Sequence, residues 1–445
     1  MNFLLNNKDT NSFCTIYAKD INGEIWCSGA KNFACKAIIA SLLSRELVTI
    51  SNVPNIDDVQ ITLQMLEKIG LNYEFKDNIL RIYPFEILKA KIEIERSNRM
   101  PLLIISALMH FVNQITVPHV TGCTTFGKRN IEFFENVFKQ FGIKVMINKL
   151  EYTASRNTEL IGTNIKLDYP SIGVTEAALL LAVLAEGTSI ISNIAIEPEI
   201  CELINLLNKM GAMIKWIGKR KVLVQGVQKL YAVDFSIIFD RVEAVSWACL
   251  AAATNGSITV HNVCQKNLHT FIEIFKKIGG GVQIIDSNTI RFFRESTNLQ
   301  PIKLETDVYP AFSTDYQPMF GICLTQANGV STIHETVFEN RLLYLKHLAQ
   351  YGLKVKFDVS CHSKLCRYNL KYDHIAHIYG ACTYKNIEAL TPQNIRESFA
   401  YIIVAALSNN AVQINNLHHI NRGYENIYEK LRCVGVNVKM ASEPA

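Results

Sequence analysis

Four loop segments of the chain carry side chains that could do chemistry, and each lies at or near the start of a predicted helix. The segments are 28–32 with Lys31, 121–129 with Cys123, 309–317 with Asp315 and 421–425 with Arg422. A lysine beside a glycine turn at a helix N-terminus can hold an anion. A cysteine beside cations, here Lys128 and Arg129, is favoured in its reactive thiolate form. Together the segments offer cations, a thiol and a carboxylate.

Each of these side chains also has a purely structural explanation. Lys31 fits a solvated cation near a helix cap, and Cys123 fits an ordinary loop cysteine. Asp315 stands where a helix N-cap would stand. Taken alone, this residue is better explained as a cap than as a catalytic group. Arg341 lies in segment 338–341, one repeat before Arg422 and at the equivalent point. No single residue therefore decides the function.

One segment raises the question of a metal site. Cys361, His362, Cys366, His374 and His377 lie within 17 consecutive positions. Their spacing matches no common zinc motif, and the segment interrupts a repeat like a surface insertion. We therefore expect no metal site and no cofactor.

The elements that must position these residues are six copies of one repeat. Each copy contains an alternating, β-branched run that predicts a strand. These runs are 49–53, 115–120, 190–194, 258–263, 332–337 and 412–417. A helix that is apolar on nearly all sides precedes each run, which predicts burial. These helices are 33–43, 102–111, 176–185, 242–253, 318–327 and 398–407.

An amphipathic helix follows each strand and ends at a glycine, the residue that helix C-termini favour. The glycines are Gly70, Gly142, Gly211, Gly279, Gly352 and Gly435. The spacing predicts an α/β fold of six βαβ-type repeats. A single core stops growing near ~250–300 residues, so 445 residues predict two lobes. We place repeats 1–3 and Cys123 in a lobe of residues 31–238, and repeats 4–6 in a lobe from 239 to 445. A cleft between two lobes is a natural ligand site.

Composition excludes several classes of protein. Hydrophobic residues make up 49% and charged residues 19%, which excludes a disordered chain. The net charge of +5 is small and dispersed, so we expect no nucleic-acid partner. The longest apolar run, 177–185, is too short for a membrane helix, and the N-terminus does not resemble a signal peptide. Twelve scattered cysteines fit a cytoplasmic protein without disulfides.

Seven short phrases together carry a resemblance to a known family. They are 28–32, 172–176, 197–199, 240–243, 310–315, 335–341 and 419–425, and the similarity runs from about residue 23 to residue 440. In these phrases the chain resembles the UDP-N-acetylglucosamine 1-carboxyvinyltransferase family, enolpyruvyl transferases that open peptidoglycan synthesis. The combination is specific, although no single phrase is.

The resemblance implies a fold and a reaction. The fold is two inverse α/β barrel lobes of three repeats each, with residues 1–30 joined to the lobe of residues 239–445. The implied substrates are phosphoenolpyruvate and UDP-N-acetylglucosamine, with no cofactor. In the cleft between the lobes the 3-hydroxyl of the sugar nucleotide attacks C2 of phosphoenolpyruvate, and phosphate then leaves. The implied role is cytoplasmic, in cell wall biogenesis and thereby in cell shape, the cell cycle and cell division.

The resemblance also implies roles for individual residues. The family's catalytic positions match Lys31, Cys123, Asp315 and Arg422, with the cysteine as the acid that protonates C3 and the aspartate as the base facing the hydroxyl. Lys31, Arg129 and Arg422 are implied around phosphoenolpyruvate. The full set of implied substrate-binding positions is Lys31, Asn32, Arg129, Ser171, Ile172, Gly173, Asp315, Val337, Arg341 and Arg396.

Three departures from the family pattern leave alternatives open. Arg129 lies one residue farther from Cys123 than in the family, so Lys128 or Arg129 takes the cationic position. An arginine expected near 96–102 is out of register or absent, and Asn394 replaces the aspartate of an Asp-Leu-Arg motif. The alternatives are a sibling enolpyruvyl transferase with another nucleotide or sugar acceptor, and a weakened paralogue that binds nucleotide. Retention of all four catalytic positions argues against the paralogue.

Overall fold

The computed structural model describes residues 12–120, 131–363, 366, 368 and 370–441. The described residues form two compact units. The first unit contains residues 29–120 and 131–238, and the second contains 12–28 and 239–441. Each unit buries its own hydrophobic core.

The strands in the described part of the chain are numbered in chain order. They are β1 (Cys14–Ala18), β2 (Asn22–Trp26), β3 (Val48–Ser51), β4 (Tyr73–Lys76), β5 (Ile79–Ile82), β6 (Gln114–Pro118), β7 (Lys144–Ile147), β8 (Glu151–Ser155), β9 (Asn164–Lys166), β10 (Thr188–Ser192), β11 (Met213–Gly218), β12 (Lys221–Gln225), β13 (Val233–Ser236), β14 (Ser257–His261), β15 (Gly280–Asp286), β16 (Thr289–Arg294), β17 (Lys303–Glu305), β18 (Gly329–His334), β19 (Lys354–Asp358), β20 (Ile375–Gly380), β21 (Ala389–Leu390), β22 (Val412–Ile414) and β23 (Val436–Met440).

The α-helices are numbered in the same way. They are α1 (Lys31–Ser41), α2 (Asp57–Glu67), α3 (Pro101–Leu108), α4 (Glu132–Gln140), α5 (Ile172–Ala182), α6 (Pro198–Lys209), α7 (Arg241–Ala253), α8 (His269–Lys277), α9 (Gln317–Thr325), α10 (Leu343–Ala349), α11 (Ile395–Leu407), α12 (His418–Asn421) and α13 (Ile427–Cys433). None of these described helices is long and apolar enough to cross a membrane.

The structure contains a strand and a buried helix at each of the six predicted repeats. The six predicted strands are β3, β6, β10, β14, β18 and β22, and the six predicted buried helices are α1, α3, α5, α7, α9 and α11. Helix α7 is buried at all 13 positions. All six marker glycines have positive φ, from 78° at Gly142 to 104° at Gly70, a conformation that glycine adopts without a Cβ penalty. The fold class is therefore α/β, as predicted.

Several predicted boundaries differ from the structure by three or four residues, and two of these differences have identifiable reasons. Helix α5 begins at Ile172 rather than at 176, because its first turn is irregular in hydropathy and hides the start. Strand β18 ends at His334 rather than at 337. The backbone N–H groups of Val337 and Phe338 donate to the Glu335 side chain at 2.9 and 3.0 Å, which turns the chain away from the sheet.

The sheets show how the repeats are connected. The first unit has sheets ordered β13-β3-β5-β4, β6-β8-β7 and β11-β12-β10-β9, and the second has β21-β22-β1-β23, β15-β16-β14-β2 and β17-β18-β20-β19. In three sheets a buried helix joins two parallel strands: α5 joins β9 to β10, α9 joins β17 to β18, and α11 joins β21 to β22. These three are contiguous βαβ units.

The remaining repeats are completed by strands that are distant in sequence. Strand β13 lies parallel to β3, and β2 lies parallel to β14. Strand β1 lies antiparallel between β22 and β23, with Cys14 opposite both Ile414 and Met440. In the three-stranded sheet, a parallel bridge of Lys91 with Thr116 stands in place of a parallel strand. The first strands of the chain thus complete two sheets of the second unit.

Candidate active site

Asp315 is the centre of an ionic network in the second unit. Arg341 Nη2 donates to Asp315 Oδ1 at 3.1 Å, and Arg396 Nη2 donates to Oδ2 at 3.1 Å. The arginine side chains are 4% and 7% exposed, whereas the aspartate side chain is 28% exposed. Two buried cations therefore hold one carboxylate that solvent can still reach.

The structure corrects the capping explanation for Asp315. The N-cap of α9 is Tyr316, and no side chain caps this helix. The backbone N–H of Asp315 donates to Ser313 Oγ at 3.2 Å, while its carboxylate faces the two arginines. The Asp315 carboxylate therefore binds the two arginines and does not cap α9.

Arg396 reaches Asp315 from the first turn of α11. Burial acts to lower the pKa of Arg396, but Asp315 and neighbouring groups outweigh it and raise the pKa above its ordinary value. Asn394 caps the helix, because its side-chain oxygen accepts from the backbone N–H groups of Arg396 and Glu397 at 3.1 and 3.0 Å. Asp240 caps α7 in the same way. Asparagine and aspartate cap helices about equally well, so Asn394 supplies a cap without a negative charge.

Glu335 connects the residue before Asp315 to the segment that contains Val337. Thr314 Oγ1 donates to both carboxylate oxygens of Glu335, at 3.1 and 3.0 Å. The same carboxylate accepts from the backbone N–H of Val337. Burial raises the pKa of Glu335, with Arg341 and these donors opposing the rise. In the sequence Glu335 stands out only as the first residue of the phrase 335–341, which does not by itself indicate this positioning role.

The segment that contains Arg422 borders the same network. Burial raises the pKa of Tyr424 to about 12, while Arg396 opposes the rise, so the phenol lies beside that guanidinium. The Tyr424 hydroxyl also hydrogen-bonds Ser246 Oγ at 2.9 Å. Arg422 is half-buried at the C-terminal end of α12. Burial first, and then the charges of His418 and Arg422, lower the pKa of His419 to about 3. Arg422 therefore lies within the second unit, two residues from a group in the Asp315 network.

Lys31 occupies the first position of α1 in the first unit. Its Nζ lies 2.9 Å from Asp58 Oδ2, and the two side chains are 15% and 7% exposed. No side chain caps the helix at Ala30. A Cβ at Gly29 would approach the Asn52 carbonyl oxygen to 1.9 Å, so the turn before the helix requires glycine. Asn32 follows Lys31, and its carbonyl accepts from Lys36 Nζ at 2.6 Å.

The predicted stretch 171–173 begins α5. Ser171 is the N-cap residue, but its side chain makes no capping hydrogen bond, and Ile172 is 37% exposed. A Cβ at Gly173 would approach Phe134 Cζ to 3.1 Å, which leaves little room for a larger residue. An ion pair links the middle of α1 to the middle of α5, because Lys36 Nζ lies 3.9 Å from Glu176 Oε1. The predicted positions in the first unit thus begin neighbouring helices.

Sequence analysis missed several buried acidic residues in the first unit. Burial, with Lys36 opposing and Glu199 and Glu197 adding to it, raises the pKa of Glu176 to about 7. Asp58 is 5% exposed and pairs with Lys31. A sequence signal for Asp58 exists, since it lies on the apolar face of α2 with the buried Thr62 and Leu66.

The predicted reactive cysteine belongs to segment 121–129. Cys123, Lys128 and Arg129 lie outside the described residues. Their roles, and the choice between the two cations, therefore stay predictions.

Comparison with known proteins identifies the family. The chain matches the family model of EPSP synthase (3-phosphoshikimate 1-carboxyvinyltransferase) over residues 17–431. It is 37% identical over 434 residues to the UDP-N-acetylglucosamine 1-carboxyvinyltransferase of Protochlamydia amoebophila (strain UWE25), across 95% of this chain and 93% of that protein. It is 36% identical over 428 residues to the enzyme of the same name from Chlamydia pneumoniae, across 94% of this chain and 93% of that protein.

Solved structures support the fold. The enolpyruvyl transferase NikO from Streptomyces tendae matches with a TM-score of 0.84 at 18% identity, across 98% of this chain and all of that one. An EPSP synthase from Acinetobacter baumannii matches with a TM-score of 0.68 at 14% identity, across 97% of this chain and all of that one. At these identities the likeness concerns the fold alone. The relatives of higher identity decide the family: the chain belongs to the UDP-N-acetylglucosamine 1-carboxyvinyltransferase family of enolpyruvyl transferases.

Proposed function

We propose that the chain transfers the enolpyruvyl group of phosphoenolpyruvate to the 3-hydroxyl of UDP-N-acetylglucosamine and releases phosphate. The observation that carries the proposal is the carboxylate of Asp315, accessible to solvent yet held between two buried arginines. The names of the relatives at 36–37% identity supply the acceptor, UDP-N-acetylglucosamine, and the transferred carboxyvinyl group, and the family resemblance supplies phosphoenolpyruvate as its donor.

Asp315 is proposed to accept the proton of the attacking hydroxyl. Each carboxylate oxygen accepts one arginine N–H, and the side chain is 28% exposed, so a sugar hydroxyl can reach the carboxylate. The two cations favour the ionised form, which is the form that can accept a proton. As the hydroxyl loses its proton to Asp315, its oxygen forms a bond to C2 of phosphoenolpyruvate.

The addition also requires a proton at C3. By the family resemblance Cys123 donates this proton, so that the enol double bond becomes a methyl group and C2 becomes tetrahedral. Elimination reverses the proton step: a proton leaves C3, the double bond re-forms and the C2–O bond to phosphate breaks. The proposed net reaction consumes both substrates and yields the enolpyruvyl ether and phosphate.

Cations are proposed to stabilise the charge that develops on the departing phosphate. By resemblance Lys31, Arg129 and Arg422 surround phosphoenolpyruvate. Lys31 is held at the start of α1, whose first N–H groups carry partial positive charge. Preorganised cations of this kind lower the barrier because they need no rearrangement during the reaction.

Seven described residues are proposed to bind the sugar nucleotide. The proposed positions are Asn32, Ser171, Ile172, Gly173, Val337, Arg341 and Arg396. Their support is geometric within each unit, since the first four begin neighbouring helices and the last three lie around Glu335 and Asp315.

The proposed setting is cytoplasmic peptidoglycan synthesis, and through it cell wall biogenesis, cell shape, the cell cycle and cell division. Among the residues that the structure describes, six cysteines are buried as free thiols, namely Cys14, Cys27, Cys35, Cys249, Cys323 and Cys382. Reduced thiols in this number are typical of a reducing compartment.

An acceptor comparison tests the proposed function. Purified protein with phosphoenolpyruvate is expected to release phosphate when UDP-N-acetylglucosamine is added, and not with UMP or free N-acetylglucosamine. Release with UMP, but not with the amino-sugar nucleotide, would identify a sibling transferase. Nucleotide binding without any phosphate release would identify the weakened paralogue.

Alkylation tests the proposed role of Cys123. Fosfomycin, an epoxide that alkylates the cysteine of this family, is expected to add its mass to the peptide that contains Cys123. The exposed cysteines Cys201 and Cys264 serve as internal controls and should remain unmodified. An unmodified Cys123 peptide in an active preparation would contradict the proposed presentation of this thiol.

A further inference from the structure

Four potential metal ligands converge in the second unit, and none of them is among the residues proposed for catalysis. The ligand atoms of His334, Cys361, Cys366 and His374 all lie within 4.8 Å of one another. His334 ends β18, and His374 immediately precedes β20, the antiparallel neighbour of β18. The two cysteines lie in the connection between β19 and β20. Two strand ends and one loop thus contribute to one cluster.

Both histidines are oriented as metal ligands are. His334 Nδ1 lies 2.7 Å from Glu305 Oε2, and His374 Nδ1 lies 2.8 Å from the Tyr372 carbonyl oxygen. Both partners only accept, so each Nδ1 must carry the proton and each Nε2 must carry a lone pair. In the described part of the chain both Nε2 atoms are buried and lack a hydrogen-bond partner. Metal-bound histidines show this arrangement, in which the second ring nitrogen donates to a carboxylate or carbonyl.

The donor set points to zinc. We propose that His334, Cys361, Cys366 and His374 form a structural Zn²⁺ site with two thiolate and two imidazole ligands. A tetrahedral zinc ion places such ligand atoms about 3.3–3.8 Å apart, so the cluster needs only a small contraction to reach that geometry. Mg²⁺ and Ca²⁺ prefer oxygen ligands, which the four residues do not offer. Four protein ligands also complete the coordination, which distinguishes a structural site from a catalytic one.

This proposal replaces the expectation of no metal in this segment. The local spacing was misleading because one ligand, His334, comes from the strand that precedes the insertion by 27 positions. His377 is not part of the cluster. Its Nε2 lies 2.8 Å from Asp358 Oδ2, and its Nδ1 lies 3.1 Å from Thr332 Oγ1.

Zinc at this site would fasten the insertion to the segment that contains Val337. The backbone N–H of Tyr368 donates to Cys366 Sγ at 3.3 Å, and its hydroxyl donates to the Val337 carbonyl oxygen at 2.7 Å. An ion that fixes Cys366 therefore also fixes Tyr368 against Val337. Any effect on sugar-nucleotide binding rests on the proposed function of Val337, whereas metal binding itself does not.

Metal analysis of the untagged, full-length protein tests the proposal. Protein produced with zinc in the medium and then dialysed is expected to retain about one zinc per chain, because structural zinc sites bind tightly near neutral pH. The double variant Cys361→Ser, Cys366→Ser is expected to retain less than about 0.1 zinc. The matched control Cys201→Ser, Cys264→Ser removes two exposed thiols elsewhere and should retain the full complement.

Spectroscopy of the intact wild-type chain guards against misfolding of the variant. Co²⁺ added to metal-free protein is expected to give thiolate-to-metal charge-transfer bands and the visible absorption of tetrahedral cobalt, and Zn²⁺ should abolish both. His374→Ala should weaken Co²⁺ binding by at least about tenfold. Zinc content that is negligible in the wild type, or equal in the double variant, would overturn the proposal. A Cys361–Cys366 disulfide found by peptide mass spectrometry in protein isolated under reducing conditions would also overturn it.

Discussion

Two of the three buried helices in the second unit, α7 and α11, begin differently from the buried helices of the first unit, whereas α9 also lacks a side-chain cap. In the first unit α1, α3 and α5 have no side-chain cap and no acidic residue in the first turn. In the second unit α7 and α11 are capped by Asp240 and Asn394 and carry a glutamate in the first turn. Uncapped helix starts retain N–H groups and partial positive charge that an anion can use. The first unit thus suits anionic substrates, while the second neutralises two of its own helix starts.

The two units also differ in the ion pairs that their candidate catalytic residues form. Lys31 in the first unit pairs with one carboxylate, Asp58, whereas Asp315 in the second unit pairs with two arginines. The first pair places a cation beside an uncapped helix start, and the second arrangement holds a solvent-accessible carboxylate between two cations. We infer a division of labour in which Lys31 of the first unit contributes to phosphate binding, whereas Asp315 of the second unit accepts the proton of the acceptor hydroxyl.

The largest expected effect comes from removing the charge of Asp315. Asp315→Asn should lower kcat for phosphate release by about 10²- to 10⁴-fold, the range for loss of a general base. Steady-state assays with saturating substrates measure this change. Ser313→Ala is the matched control, because Ser313 only accepts the backbone N–H of Asp315, and it should retain kcat within about threefold. A kcat within tenfold of wild type for Asp315→Asn would show that this carboxylate is not the base.

The next effect concerns the ion pair of Lys31. Asp58→Asn leaves a nearly buried lysine without its carboxylate, and breaking a buried pair costs about 3–5 kcal/mol. Thermal denaturation should show a clearly lower Tm. Asp57→Asn is the neighbouring control, since Asp57 pairs at 3.7 Å with an Arg96 that is 43% exposed, and it should cost less than about 1 kcal/mol. Equal losses of stability in Asp58→Asn and Asp57→Asn would contradict the distinction between a buried and an exposed ion pair.

A pH-dependent effect is expected from Glu176. Its pKa of about 7 exceeds the ordinary 4.5, mainly because it is buried. The protonated form therefore favours folding, and this stability is lost as pH rises from about 4.5 through about 7. Glu176→Gln should gain up to about 3 kcal/mol relative to wild type between about pH 4.5 and pH 8. Melting curves at several pH values measure the difference, and a difference independent of pH would contradict the account.

The smallest expected effect concerns the side chains that cap α7 and α11, Asp240 and Asn394. Asn394 Nδ2 donates to Glu397 Oε2 at 2.9 Å, so Asn394→Asp would bring two carboxylates together and cost about 1 kcal/mol. Asp240→Asn should cost only a few tenths, because asparagine caps as well as aspartate. Urea denaturation of both variants measures the costs, and a greater loss for Asp240→Asn would reverse this ranking.

Sequence patterns predicted the repeats well because the underlying physics is local. Marker glycines and all-apolar helices each reflect one stretch of chain. The pairing of β1 with β23 joins residues 14 and 440, and no local pattern encodes it. The join of residues 1–30 to the second half came only from the family resemblance.

The candidate site was predictable in its members but not in its contacts. Family motifs indicated Asp315, Arg341 and Arg396 separately, but that both arginines reach the same carboxylate follows only from the fold. The cap explanation for Asp315 failed for the same reason. The His334 cluster escaped the spacing argument because its ligands come from two strand ends and a loop.

The division of labour is tested most directly by comparing the KM for phosphoenolpyruvate in Lys31→Met and Asp315→Asn under identical conditions. Loss of one charge-assisted contact predicts a KM about 10- to 100-fold higher for Lys31→Met. For Asp315→Asn the account predicts a KM within about threefold of wild type, with the loss confined to kcat. An unchanged KM for Lys31→Met, together with a KM for Asp315→Asn raised tenfold or more, would contradict it.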